Sequence, residues 1–257
     1  MSGRSLLSLQ GYIKIGLRTA AGKPGALYWV GSVPEATIEL VSESASKNES
    51  FTGQRVQYGK LNTGKTGTLN LTLDEWSARN IAMGLYSEVL NTVAGTVTDE
   101  ALPADLVVGD EVRLDHPYAS DLVLTDSTPA TPQTVDAGHY RVTGHNDSVI
   151  ELLDLTTTPY VQPLLAAYSH EAYDSVECFT QNAKDRYVLF DGINTETGDP
   201  VLVDLYRVNF DPIGNLGLIH AEYGNLPMTG AILFDELNVD ADGKGGYFRV
   251  RQKSAVA

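Results

Sequence analysis

A chain of 257 residues, 42% apolar and 20% charged, can bury one large core or two smaller ones, which argues against global disorder. Its net charge of −15 argues against electrostatic wrapping of nucleic acid, because a phosphate backbone is neutralised by Lys and Arg. The single cysteine, Cys178, rules out an internal disulfide and a cysteine-based zinc cluster, and reads as a small buried hydrophobe. No run approaches the length of a membrane-spanning helix. The N-terminus, MSGRSLLSLQ, is too short and too weakly apolar for a secretory signal, so the expectation is a protein that does not cross a membrane by that route.

In chain order, Ile13, Ile15 and Leu17 alternate with Tyr12 and Lys14, which predicts a half-buried strand. Tyr28 to Val30 and Thr37 to Val41 read as two more strands, with Ile38 and Leu40 turned inward; Trp29 and Trp76 are assigned to the core. The polar stretch from Ser42 to Thr52 is too long for a tight turn and reads as an extended loop or a protruding hairpin. Thr66 to Leu73 is the clearest strand, Leu69, Leu71 and Leu73 alternating with Thr68, Asn70 and Thr72. Asp74 then caps a helix over EWSARNIAMGLYSEVL, with Trp76, Ile81, Met83 and Leu85 on roughly one face; no other convincing helix is predicted.

The segment from Thr96 to Ser175 has a different character. It carries fourteen acidic residues against only Arg113 and Arg141, six of the eleven prolines and four of the five histidines. Short strands are predicted at 111–114, 122–125, 139–143 and 149–155, with loops at Ser127 to Gln133 and Thr156 to Pro159. The expected organisation is a discontinuous core domain (1–95 and 176–257) and an inserted acidic β domain (96–175).

From Arg186 to Glu236 the chain reads as three or four strands separated by Gly- and Pro-bearing turns. Tyr206, Val208 and Phe210 alternate with Arg207 and Asn209, and a turn is placed at Asp211 to Asn215.

Four patterns invite chemistry. Gly59 to Thr66 satisfies the phosphate-loop spacing G-x-x-x-x-G-K-[ST], and Ala231 to Glu236 (AILFDE) resembles its magnesium-holding strand. A phosphate cradle must run into a helix N-terminus, however, and this one runs into a period-two strand; a Gly- and Lys-rich β turn is the better reading. Asn238 to Gly243 resembles the start of a calcium loop, but the twelfth position is Arg249 rather than Glu, so a hairpin turn before Tyr247 to Arg251 is expected. His116, His139, His145 and His170 match no zinc spacing and read as surface or turn residues. No G-x-S-x-G nucleophile elbow occurs. The expectation is a non-enzyme with no cofactor and no metal.

Phe190-Asp191-Gly192-Ile193-Asn194, Val203 to Phe210 and Asp211 to Gly214 follow the order of the C-terminal part of bacteriophage tail tube proteins, the major tail proteins. Gly11 to Leu17, Ile38 to Val41 and Thr66 to Tyr86 match the N-terminal strands and single helix of that family. The resemblance spans most of the chain. It implies a mainly β fold, a β-sandwich or barrel core with one packed helix. It also implies six-subunit rings stacked into a hollow virion tail tube, assembled in the host cytoplasm, through which genome DNA passes without specific binding. The partners implied are other copies of the chain, a tail terminator, a baseplate or tail tip, a tape measure protein and, in a contractile tail, a sheath. The inserted domain is expected on the outer surface. The stretch from Ser42 to Lys65 is the candidate subunit contact, with Glu43, Lys47, Glu49, Arg55, Lys60 and Lys65 supplying both charge signs to fix register. Two alternatives stay open: the tube of a phage-like contractile injection system, and a soluble β-sandwich ligand-binding module. The module would require a stable monomer with an exposed aromatic platform.

Overall fold

The computed structural model describes residues 6–144 and 146–253. The chain is mainly β, and it divides into two compact units, Met1–Val89 with Val176–Ala257, and Leu90–Ser175.

The first unit is one antiparallel sheet. Its strands are β1 (Leu9–Leu17), β2 (Tyr28–Trp29), β3 (Glu35–Asn48), β4 (Gln57–Leu73), β13 (Asp185–Asn194), β14 (Pro200–Phe210), β15 (Leu226–Ile232) and β16 (Phe248–Gln252). The order is β2-β1-β13-β14-β15-β4-β3, and β16 also pairs with β14. Ile13 and Ile15 from β1 lie in the same buried cluster as Leu69, Leu71 and Leu73 from β4, four places away along the sheet. The sheet therefore curls over its own apolar face, as an open barrel whose two edges, β2 and β3, stay unjoined. The one α-helix among the described residues, α1 (Ala78–Gly84), adds Met83 to that cluster.

Close backbone approach fixes the pairing of β1 with β13. Gly11 faces Gly192, and a Cβ on Gly11 would sit 2.4 Å from the Asp191 carbonyl oxygen. This crossing explains the glycine in the Phe190-Asp191-Gly192 run: only a residue without a side chain lets the strands pass so closely.

Several predicted features are corrected. Leu17, Ile38 and Leu40 are exposed, as are Trp29 and Trp76. The helix is about two and a half turns longer in the sequence pattern than in the fold. Ser77, not Asp74, caps it, its Oγ accepting from the Asn80 N–H at 3.2 Å. It ends because Leu85 leaves helical geometry and Tyr86 takes φ +53°, a left-handed conformation that breaks the ladder. Asp211 to Asn215 is not a tight turn but the start of a long irregular segment reaching to β15. Cys178 is exposed.

The second unit contains two three-stranded sheets. One is β6 (Gly95–Ala101), β11 (Leu165–His170) and β8 (Ala119–Thr125); the other is β7 (Glu111–Arg113), β10 (Val149–Leu152) and β9 (Tyr140–Val142). Leu124, Ile150, Leu152, Leu164 and Tyr168 come from both sheets into one buried cluster, which makes the unit a small sandwich. Two further strands, β5 (Val89–Thr92) and β12 (Tyr173–Val176), pair with each other where the chain enters and leaves this unit.

The loop over the open side of this sandwich is pinned by one buried carboxylate. Asp126 accepts from Thr128 Oγ at 2.6 Å, from the Gln133 N–H at 2.6 Å and from the Val161 N–H at 3.2 Å. These bonds, the Thr128 hydroxyl first, hold its pKa down at about 2. The folded pKa lies below the unfolded one of roughly 3.9, so the stabilisation is complete above pH 4 and is lost as pH falls towards 2. Asp126→Asn is expected to lower the melting temperature at pH 7 and to flatten its fall between pH 4 and pH 2, read by circular dichroism melts.

Candidate assembly site

Past Leu40, β3 and β4 leave the curled sheet and run on as a two-stranded hairpin. Every one of the 14 residues of β3 is exposed. Of the 17 residues of β4, burial begins only at Gly67. Of the two shapes open for Ser42 to Thr52, the protruding hairpin is the one formed. The phosphate-loop spacing, Gly59 to Thr66, lies inside β4, so it is extended strand and not the expected turn. With no helix start there, its amides are committed to Glu43, Ser44, Ala45, Ser46 and Lys47 of β3 rather than gathered about an anion.

Register divides the six candidate contact residues. Ser42 pairs with Lys65, Glu43 with Gly64, Ser46 with Lys60 and Lys47 with Gly59. Because paired residues share a face and neighbours alternate, Lys60 and Lys65 project on the side that carries Ile38 and Leu69 lower down. Glu43 and Lys47 project on the opposite side. Register breaks between Glu43 and Ser44 and between Lys47 and Asn48 leave Thr63 and Tyr58 unpaired as bulges. Such bulges twist the finger and re-aim its side chains.

Glu49 departs from its expected role. It is only 6% exposed, and its carboxylate accepts from the Phe51 N–H at 3.0 Å, the Thr52 N–H at 2.8 Å and the Thr52 hydroxyl. The Thr52 hydroxyl, the largest influence, holds its pKa below the ordinary carboxylate range. Glu49 therefore builds the tip rather than meeting a partner. Arg55 sits beside it at φ +52°. With Glu49 committed, the charges left for contact are Glu43 against Lys47, Arg55, Lys60 and Lys65, so the finger is cationic rather than mixed.

Exposed apolar side chains crowd the same element: Leu40, Val41, Phe51, Val56, Tyr58 and Leu61. Phe51 and Tyr58 meet edge to face with centroids 6.4 Å apart. Phe51, Val56, Tyr58 and Leu61 carry no period-two signal, because they cluster at a tip and beside bulges, whereas Leu40 alternates and is expected inward. A monomer in water gains nothing by presenting six large apolar side chains on one finger. Lys65 makes no ion pair among the described residues, and Lys65→Ala should change unfolding free energy by less than about 0.5 kcal/mol in urea titrations, as for any free surface position.

Elsewhere in this unit, core-face side chains of β1, β4, β13 and β14 share one opening with Tyr12, Trp29 and Glu35, which register places on the opposite face. The opening is an apolar cleft of about 820 Å³ lined by Tyr12, Trp29, Ile38, Leu69, Phe190 and their neighbours. Tyr12 and Trp29 pack edge to face at 5.7 Å, and Trp29 remains 55% exposed.

The other motifs carry no site. Asp240 accepts from the Asp242 and Lys244 N–H groups at 3.1 and 2.7 Å, closing the turn at Asn238 to Gly243. His170 is buried rather than at the surface, stacked on His116 with centroids 4.1 Å apart; His139 meets the Tyr160 hydroxyl at 3.1 Å. His145 lies outside the described residues. Among the described residues, no three His, Cys, Asp or Glu side chains gather as metal ligands.

Fold and surface together define a mainly β chain with an unpaired sheet edge and a cationic, apolar finger. The chain belongs to the family described as "Protein of unknown function UCP028589", which it matches over residues 6–251. No curated protein matches it.

Proposed function

We propose that this chain is a structural tube protein of a phage tail or phage-like particle, assembling with copies of itself into stacked rings around a channel. The observation that carries this reading is β3: a strand of 14 exposed residues at the end of an eight-stranded sheet, with one row of backbone donors and acceptors unpaired. Such an edge is a liability in a monomer and a joint in a ring. The opposite edge, β2, lies elsewhere on the same sheet, so pairing edge to edge gives a head-to-tail interface, the kind that makes a ring when the rotation from copy to copy closes.

The sheet face turned away from the core supports the channel. Thr37, Asn70 and Thr229 stand in one cross-strand row, and Thr229 Oγ donates to Asn70 Oδ1 at 3.0 Å. The adjacent rows add Glu35 with Thr72 and Glu39 with Thr68. A wall of small hydroxyls and amides with acidic residues would hold no phosphate backbone and would let a polyanion slide. In this reading the acidic second unit decorates the outside of the tube.

The test is sedimentation of the purified chain beside a variant in which residues 46–59 are replaced by Asn-Gly. The full chain should sediment as large assemblies at high concentration, and the shortened one as a folded monomer. Equal sedimentation of the two would remove the hairpin from the account.

The exposed Tyr12–Trp29 pair supports a second reading, a carbohydrate-binding module, since sugars stack on such platforms. That module would remain monomeric and bind glycans through Trp29.

A further inference from the structure

The finger and the cleft are complementary features on one chain. The finger ends in two exposed aromatic rings, Phe51 and Tyr58, held edge to face by the Glu49-bound tip. The cleft is an apolar hollow of about 820 Å³ floored by core side chains and flanked by the exposed Tyr12 and Trp29 rings. Its only charged lining residue is Glu35. The finger's free charges near the tip are Lys47, Arg55 and Lys60, all opposite in sign to Glu35. Two aromatic side chains together present roughly 300–500 Å² for burial, and a hollow of this size is within the range that takes such a group.

The finger cannot fill its own cleft. Ile38 lines the cleft, and β3 runs straight from it to Asn48, ten residues on, which at about 3.3 Å per residue carries the tip some 33 Å away. The finger of a second copy can reach the cleft. We infer that the Phe51–Tyr58 tip of one copy seats in the Tyr12–Trp29 cleft of the next, with Arg55 and Lys60 approaching Glu35. The inference rests on the self-assembly proposed above and names the contact that drives it. A knob and a hole at different places on one surface make a directional interface, which propagates from copy to copy.

Trp29 reports on the contact directly. In a Trp76→Phe background it is the only tryptophan, and its emission should move to shorter wavelength when the protein assembles, since water leaves the ring. Phe51→Ala/Tyr58→Ala alters only exposed side chains, and it should abolish both the shift and assembly while leaving the circular dichroism melt unchanged. As a second readout, single-cysteine chains Cys178→Ser/Phe51→Cys and Cys178→Ser/Trp29→Cys, mixed and oxidised, should give a cross-linked dimer in excess over either alone. Imaging the same samples separates the two proposals. Rings or tubes with unchanged Trp29 emission overturn this contact and leave the tube reading standing. A shifted Trp29 that depends on Phe51 and Tyr58, in particles without a channel, supports the contact and overturns the tube. A shift that persists in Phe51→Ala/Tyr58→Ala means another segment fills the cleft, and a chain monomeric at every concentration overturns both.

Discussion

Arg18→Ala is expected to destabilise the first unit by about 3–5 kcal/mol, the range for removing one partner of a buried ion pair. Arg18 follows directly on β1, and its guanidinium donates to both oxygens of Asp235, each bond 2.7 Å. Asp235 is 1% exposed. Its remaining bonds come from the Leu237 N–H and the Asn238 amide, so among the described residues Arg18 is the only cation paired with it. The pair fastens the end of β1 to the segment after β15, which lie 217 residues apart in the chain. Removing Arg18 leaves that carboxylate without its balancing charge. Replacing both residues at once, Arg18→Met with Asp235→Leu, should recover most of the loss, because no charge is then stranded. Urea unfolding of the three proteins separates these outcomes. The hydrogen bond from Arg18, more than any other influence, holds the Asp235 pKa at about 2. A depressed carboxyl stabilises the fold above its unfolded pKa of roughly 3.9, and that stabilisation fades as pH drops through 2. Arg18→Ala should therefore also weaken the acid dependence of the first unit between pH 4 and pH 2.

Leu73→Ala is the second large effect, with an expected loss of about 2–5 kcal/mol. Leu73 is fully buried at the end of β4, in the cluster that also holds Ile15, Met83 and Leu226. Its strand neighbours Leu71 and Leu69 line the same face, and β15 pairs alongside with Leu226 opposite Leu73. The surrounding strands are tied by backbone ladders and cannot close over the missing atoms, so most of the cavity should persist. A matched truncation on the finger, Leu61→Ala, should leave the unfolding midpoint nearly unchanged because Leu61 is exposed. The contrast between these two leucines of one strand tests whether the hairpin really leaves the core at Gly67.

What could be read from the sequence follows the same boundary. Leu69, Leu71 and Leu73 alternate with polar residues because one face is buried and the other wet, so period two was visible. Ile38 and Leu40 obey the same alternation yet lie exposed, because burial at a sheet edge depends on whether another strand arrives, and pattern cannot say that. Trp76 falls on the apolar face of the predicted helix and Trp29 in a predicted strand, yet both are exposed. The helix pattern runs past Leu85, but Tyr86 turns left-handed there; Gly84, the last helical residue, is the local marker that apolar periodicity alone passes over. Glu49 was read as a surface contact, and only its bonds to Phe51 and Thr52 reveal that it builds the tip. The Arg18–Asp235 pair and the cleft are assembled from residues far apart in the chain, and no local signal marks either.

The measurement that tests the proposed function most directly is negative-stain electron microscopy of the purified chain, concentrated in moderate salt. The tube reading predicts rings with a central hole and six-fold end views, or long hollow tubes of stacked rings. Particles that remain single copies at every concentration, or closed assemblies without a channel, would contradict it.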